Sequence, residues 1–380
     1  MTGLPTFDPG FSTTAMTAIF SPGGRIRRML EVEAALARVE AAARVIPPAA
    51  AALIEHACQG VSLDAESMLR QGWTTGTPVM PVLDALREAL PADAASHLHR
   101  GATSQDIIDT GLVLQIRDGM GELASALDAP LTHLGRLMRE HAQTPHLGRT
   151  WLQAAAPTSF GLRIAGWAEP LVRLRAALEA AASHLPLQFG GPVGNLARLG
   201  SAGVDVMERL AADLGLAVPA LPWHADRSHL VAAIDPVRAV ARGMAKMAVD
   251  VALLAQAGEV HIPAGGSSSM PHKRNPIDAV RAIAAAQACE GAASVISGGR
   301  PHELDRGLGG WQAESWAVPM VFHTAAATVE AMDRCVAGLQ ADVPRMASNL
   351  AASGVPDDGL GPAGFLIGRV LTLLDTKDRR

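Results

Sequence analysis

TSQDIIDTGLVLQIRDGMGELASALDAPLTHLGRLMRE, Thr103–Glu140, is the stretch whose reading decides the fold. Thr103-Ser104-Gln105-Asp106 places hydroxyl and carboxylate groups where the first free backbone N–H groups of a helix need acceptors. Behind that cap the apolar residues Leu112, Ile116, Met120, Leu123 and Leu127 recur at helical spacing, and Pro130 marks a kink or a break. A helix of this length needs long partners, so the prediction is a helical bundle and not a sandwich.

The flanking sequence repeats the pattern. From Gly24 to Arg44 the apolar positions Ile26, Met29, Leu30, Ala34, Leu36 and Ala37 predict an amphipathic helix. Further helical pieces follow to Leu98, broken at Pro47-Pro48, at Gly72–Pro78 and at Pro91. Pro157–Ala182 reads as a second long helix. Asp235-Pro236 reads as the cap and first turn of a third, and Pro276 opens a fourth that ends near Gly298. Another runs from Gly310 to Leu339, and Phe365–Leu374 forms a short last one. Apolar and polar residues nowhere alternate between hairpin turns, so essentially no sheet is expected. Alanine-rich, Tyr-free composition, with aromatics at 3%, agrees with an all-α chain. At 380 residues it divides into an N-terminal helical domain, 1–100, a central long-helix bundle, 101–340, and a short C-terminal segment, 341–380.

A formal net charge of -5 with scattered basic residues leaves no electrostatic footprint for nucleic acid. The N-terminus lacks a cationic start followed by an apolar core, and no run approaches ~20 uninterrupted apolar residues. The expectation is a cytoplasmic protein with neither nucleic-acid nor membrane partners. Cys58, Cys289 and Cys335 lack metal-ligand spacing and read as packed thiols. Thirteen histidines include no HExxH pattern, so neither a metal nor another cofactor is expected.

The chemistry concentrates in Gly265-Gly266-Ser267-Ser268-Ser269-Met270-Pro271-His272-Lys273-Arg274-Asn275-Pro276. A phosphate-binding loop needs glycine immediately before its lysine and Ser/Thr after it. Here His272 and Arg274 flank Lys273, and the nucleotide reading fails on spacing. What remains is a glycine-started loop with hydroxyls, two fixed cations and an amide, suited to holding a polyanion and moving a proton.

That string closely resembles the signature GSSxMPxKxNP of the fumarase/aspartase superfamily. Together with HRGATSQDIIDTGLVLQIRD, GRTWLQAAAPTSFGL, LQFGGPVGNLARLG, PWHADRSHL and DRGLGGWQAE, it makes the chain most similar to bacterial 3-carboxy-cis,cis-muconate cycloisomerases over residues 15–340. The resemblance implies a helical protomer whose long central helices assemble into a homotetramer, each active site formed where three subunits meet. It implies Ser267 as the base that removes the proton next to a carboxylate, and Lys273 and Asn275 as the groups holding the resulting aci-carboxylate. Thr103 and Ser104 match a hydroxyl pair that binds a substrate carboxylate, Gln153 lies where relatives bind substrate, and Arg306 offers a guanidinium fork to a carboxylate. His224 and His272 are further site candidates that serve equally well as structural hydrogen-bonding groups.

The chain departs from adenylosuccinate lyases in GRTWLQAAAP, where Trp151 and Ala154 replace histidines, the second of which acts as general acid. Expelling an amine needs a proton donor, whereas a carboxylate leaves without one. The segment 341–380 also leaves little room for the further C-terminal helical domain of most relatives. The expected activity is therefore cofactor-independent interconversion of 3-carboxy-cis,cis-muconate and 4-carboxymuconolactone, with a small polycarboxylate as substrate. The alternatives are another lyase of the superfamily, releasing an amine or a small anion such as nitrite from a succinate-like substrate, and an inactive helical family member.

Overall fold

The computed structural model describes residues 8–263, 265–266, 270, 273–298 and 302–375. Within them the helices are Thr14–Ile19 (α1), Pro22–Ala42 (α2), Pro48–Gly60 (α3), Ala65–Thr75 (α4), Val79–Ala89 (α5), Ala92–Ala95 (α6), Ser104–Ala126 (α7) and Asp128–Glu140 (α8). Then come Phe160–Ser183 (α9), Gly203–Leu214 (α10), Ser228–Gln256 (α11), Ile277–Ser297 (α12), Gly310–Ala337 (α13), Val343–Ala352 (α14) and Ala363–Asp375 (α15). The chain is all-α in architecture, as its composition predicts.

The centre is a bundle in which α11, α12 and α13 pack on one another and α7 and α9 complete the core. On α12, Ala279, Ala282, Ala286, Cys289 and Ala293 repeat at intervals of three and four residues, and all are buried. Such a row of small side chains lets neighbouring helices approach closely. α12 is long and apolar enough by composition to cross a membrane. Its apolar row is covered by α11 and α13.

Five expectations are corrected. Two small antiparallel sheets are present: Pro145–Thr150 (β1) pairs with Gln153–Ser159 (β2), and Val260–His261 (β3) pairs with Gln340–Ala341 (β4). β2 reads QAAAPTS, so it carries no apolar–polar alternation, and its pairing comes from backbone alone. α9 accordingly starts at Phe160, where Ser159 Oγ accepts the Leu162 N–H, and not at Pro157. Pro236 lies inside α11, which begins at Ser228, so the proline removes one hydrogen bond from a helix held by burial on its neighbours. The break expected at Pro130 falls at Leu127, and Pro130 sits in the first turn of α8, where a missing N–H costs nothing. In the C-terminal stretch α14 precedes the one helix expected there.

Glu40 shows the strain of a carboxyl buried in α2. It is 1% exposed, its Oε1 has no hydrogen-bond partner among the described residues, and burial together with nearby Glu33 pushes its pKa up to about 9. The folded state thus retains a proton that the unfolded chain releases near 4.5, and stability falls as pH rises from there to about 9. Glu40→Gln should remove that slope. At pH 8 the variant is expected to gain on the order of 3 kcal/mol over the parent, and near pH 4.5 almost nothing. Denaturation midpoints at the two pH values check this.

Candidate active site

One end of the bundle is organised by Asp106, 1% exposed in the first turn of α7. Its Oδ2 accepts the N–H groups of Thr103 (2.9 Å) and Gly191 (2.9 Å). Its Oδ1 accepts Gly190 N–H (3.1 Å) and Gln188 Nε2 (3.2 Å) and lies 2.7 Å from His224 Nε2. Gly191 has φ +74°, a left-handed conformation open to glycine, so the backbone can turn back onto the carboxylate. The helix start, the 188–194 loop and the PWHADR segment are thereby tied to one anion. Arg306 closes the cluster, its Nη2 donating to Thr103 Oγ1 (3.2 Å) and to the Pro192 carbonyl (3.2 Å). Thr103, Ser104 and Arg306 all keep partial exposure. A guanidinium, a hydroxyl and a helix N-terminus thus meet at one corner, the kinds of group that can bind a carboxylate.

Beneath this corner is a buried ion network that the sequence did not single out. Arg227 donates to both Asp109 oxygens (2.7 and 3.0 Å) and to Glu314 Oε2 (2.6 Å), while Trp311 Nε1 donates to Asp109 Oδ1 (2.9 Å). Burial works against the Arg227 charge, but Asp109 and Glu314 outweigh it and hold the guanidinium above its ordinary range. Burial, partly offset by Arg227, holds Glu314 above the usual carboxylate range. The network locks the starts of α11 and α13 onto α7, and so fixes where Arg306 can sit. The only local trace of it is two acidic residues, Asp106 and Asp109, three apart on an apolar helix. Their side-chain partners His224, Arg227 and Trp311 lie 118, 118 and 202 residues away.

At the other end the β1–β2 hairpin carries Gln153. A register shift at Gly148/Arg149 skips Ala155 on β2, so Thr150 pairs with Gln153 and the turn shrinks to Trp151-Leu152. Both turn residues have positive φ, 56° and 62°, as a two-residue hairpin turn of this hand requires. Trp151 (97% exposed), Leu152, Gln153 and Ala154 all face outward. Gly148 permits the close crossing at the bulge, because a Cβ there would stand 2.7 Å from the Ala156 carbonyl oxygen.

The same end holds the described part of the 265–276 segment. Gly265 and Asn275 exchange backbone hydrogen bonds (3.0 Å each), and Asn275 Nδ2 donates to the Gly266 carbonyl (3.3 Å). Lys273 is exposed and makes no ion pair among the described residues. Ser267 and His272 lie outside the described residues. Among those that are described, no group of His, Cys, Asp or Glu is arranged to hold a metal.

Helix lengths measure the separation of the two ends. The hairpin runs directly into α9, whose 24 residues span about 36 Å. Just past that helix Gln188 binds Asp106. Likewise the 21 residues of α12, about 31 Å, lie between Asn275 and the segment bearing Arg306. Within one chain the structure joins Thr103 with Arg306 and places Gln153, Lys273 and Asn275 at the opposite end.

This arrangement has relatives. The family model described as lyase matches residues 11–289. The chain belongs to this lyase family, within the fumarase/aspartase superfamily. It is 41% identical over 354 residues to a 3-carboxy-cis,cis-muconate cycloisomerase of Pseudomonas aeruginosa, covering 90% of this chain and 77% of that protein. It is 36% identical over 358 residues to a nitrosuccinate lyase of Streptomyces davaonensis, covering 90% and 76%. The solved 3-carboxy-cis,cis-muconate lactonizing enzyme of Pseudomonas putida superposes with a TM-score of 0.89 at 33% identity, over 98% of this chain and 99% of that one. The lyase-family likeness covers both ends of the bundle.

Proposed function

We propose that this chain is a cofactor-independent cycloisomerase that interconverts 3-carboxy-cis,cis-muconate and 4-carboxymuconolactone. The observation that carries the reading is the 41% identity to the P. aeruginosa cycloisomerase across 90% of the chain. In the lactonising direction a substrate carboxylate oxygen adds to one carbon of a conjugated double bond, and the Ser267 hydroxyl protonates the adjacent carbon. In reverse the Ser267 alkoxide removes that proton, Lys273 and Asn275 stabilise the aci-carboxylate, and the C–O bond breaks as the lactone carboxylate departs. Thr103, Ser104 and Arg306 hold a second substrate carboxylate, and Gln153 contributes from the hairpin. Exposed Ala154 offers no acid, and a departing carboxylate needs none.

The working form is a homotetramer in the cytoplasm. An extended six-carbon diacid measures roughly 8 Å by ordinary bond lengths, far less than the distance between the two ends of one protomer. One substrate therefore meets both sets of residues only where different protomers join. Val249 and Leu253 on α11, Ile277 and Val280 on α12 and Trp316 on α13 are exposed apolar side chains suited to that contact.

The direct test follows the conjugated-diene absorbance of 3-carboxy-cis,cis-muconate with purified protein. Rapid loss is expected; no loss overturns the reading. Similarity to the nitrosuccinate lyase, whose small-anion leaving group also needs no acid, supports a second reading. Nitrite release from nitrosuccinate with the muconate untouched would establish that one instead.

A further inference from the structure

We propose that Glu259 is a positioning residue that sets the Gln153 hairpin and the root of the 265–276 segment on one shared base. This rests on the site assignment made above, and nothing in that assignment gives Glu259 a part.

Glu259 lies between the end of α11 and β3, and its side chain is fully buried. Oε2 accepts His146 Nε2 (3.1 Å) and Arg149 Nη1 (3.0 Å), while Oε1 accepts Arg149 Nη2 (2.5 Å) and Asn349 Nδ2 (2.8 Å). Its own carbonyl accepts the Asp342 N–H (2.9 Å), next to the β3–β4 pair. One carboxylate therefore joins β1, α14 and the strand that runs, six residues later, into Gly265. The grip on β1 falls at the bulge: Arg149 is the residue where the register shifts. It folds back along the strand, donating to Leu147 O (3.3 Å) on its way to Glu259. The bulge is also what gives the hairpin its two-residue turn with Gln153 paired, so the clamp holds the strand where its geometry is decided.

All four donors point at oxygen, which makes the acid irreplaceable by its amide. With Gln at 259, the NH2 group faces either Arg149 and Asn349 or His146 and Arg149, donor against donor, in a dry site. His146 cannot relieve this by taking a partner at its other nitrogen, because Nδ1 is buried without one among the described residues. Burial opposes the Glu259 charge, yet His146, Arg149 and Asn349 hold its pKa near 2, so the clamp stays ionised throughout any assay range.

The test compares Glu259→Gln with the parent by peptide-level hydrogen exchange, and measures kcat and KM on the carboxymuconate. Faster exchange confined to 145–159 and 260–266 is expected, with an unchanged helical spectrum and molecular mass. kcat should fall on the order of 10–100-fold, as for a displacement near 1 Å, with KM within about threefold. Asn349→Ala, which removes one of the four bonds, should give the same pattern more weakly, and it serves if the glutamine variant does not fold. Exchange that loosens only one of the two segments, that rises across the whole chain, or that stays at parental rates overturns the proposal. Because exchange is read without substrate, a parent inactive on the muconate would refute the substrate assignment and leave the clamp to be judged on exchange.

Discussion

Ser267→Ala is expected to lower turnover of the carboxymuconate by a factor of about 10²–10⁴ while KM stays within a few-fold of the parent. The size follows from what the serine must do. A free hydroxyl is far too weak a base at neutral pH, so its alkoxide has to be stabilised by the surrounding charges. One ammonium at ~5 Å in an effective dielectric of ~20 supplies about 3 kcal/mol, roughly two pKa units. Lys273 alone is therefore insufficient, and backbone N–H groups with the start of α12 must add to it. Alanine removes the group that all of these serve, while the carboxylate contacts proposed for Thr103 and Arg306 remain, so kcat should fall and KM should not. The Gly265–Asn275 pair that closes the segment is made by backbone groups, so the variant should keep the parental helical spectrum and mass. Diene-absorbance kinetics decide the matter. A variant retaining more than about a tenth of parental turnover would place the base elsewhere.

What the sequence discloses about this molecule divides along physical lines. α7 is legible because its start is marked by a cap and its core face by a local period, and both signals act within a few residues. α12 and α13 are legible for the same reason, through Pro276 and Gly310. Pro236 misleads because proline chemistry is local, whereas a helix buried on several sides tolerates the lost bond. The hairpin is invisible because QAAAPTS has no face to bury, and it is held instead by Arg149 and His146 gripping a glutamate more than 100 residues away. The Asp109–Arg227–Glu314 network is equally silent, since a buried charge differs from a solvated one only through partners that tertiary structure supplies. The site stands between these cases. Lys273 and Asn275 come from one string, but the Thr103–Arg306 contact spans 203 positions and no spacing rule foretells it. The resemblance named both residues as substrate-binding candidates, but that they touch is read from the fold alone.

Arg306→Ala and Lys273→Ala should each be nearly inactive, yet a mixture of the two chains, co-expressed or dissociated and reassembled, is expected to recover about one quarter of parental activity. The reason lies in the helix lengths. α12, about 31 Å long, lies between the two residues in one chain, so a site that uses both is expected to take its arginine from one protomer and its lysine from another. In a random mixture the arginine-bearing end is intact in half of the chains, and the lysine-bearing end in the other half. A given site draws an intact copy of each with a chance of about one in four. Recovery of that size cannot arise from a site housed in a single protomer, because every chain in the mixture carries one lesion. Light scattering must show the mixed assemblies at the parental mass. If they form and activity stays at the level of the separate variants, the two ends do not serve one substrate, and the cation that pairs with Lys273 has to be sought on its own end of the bundle. Arg149 is occupied there by Glu259, and exposed Arg274, next to Lys273 in the sequence, is the first cation to test.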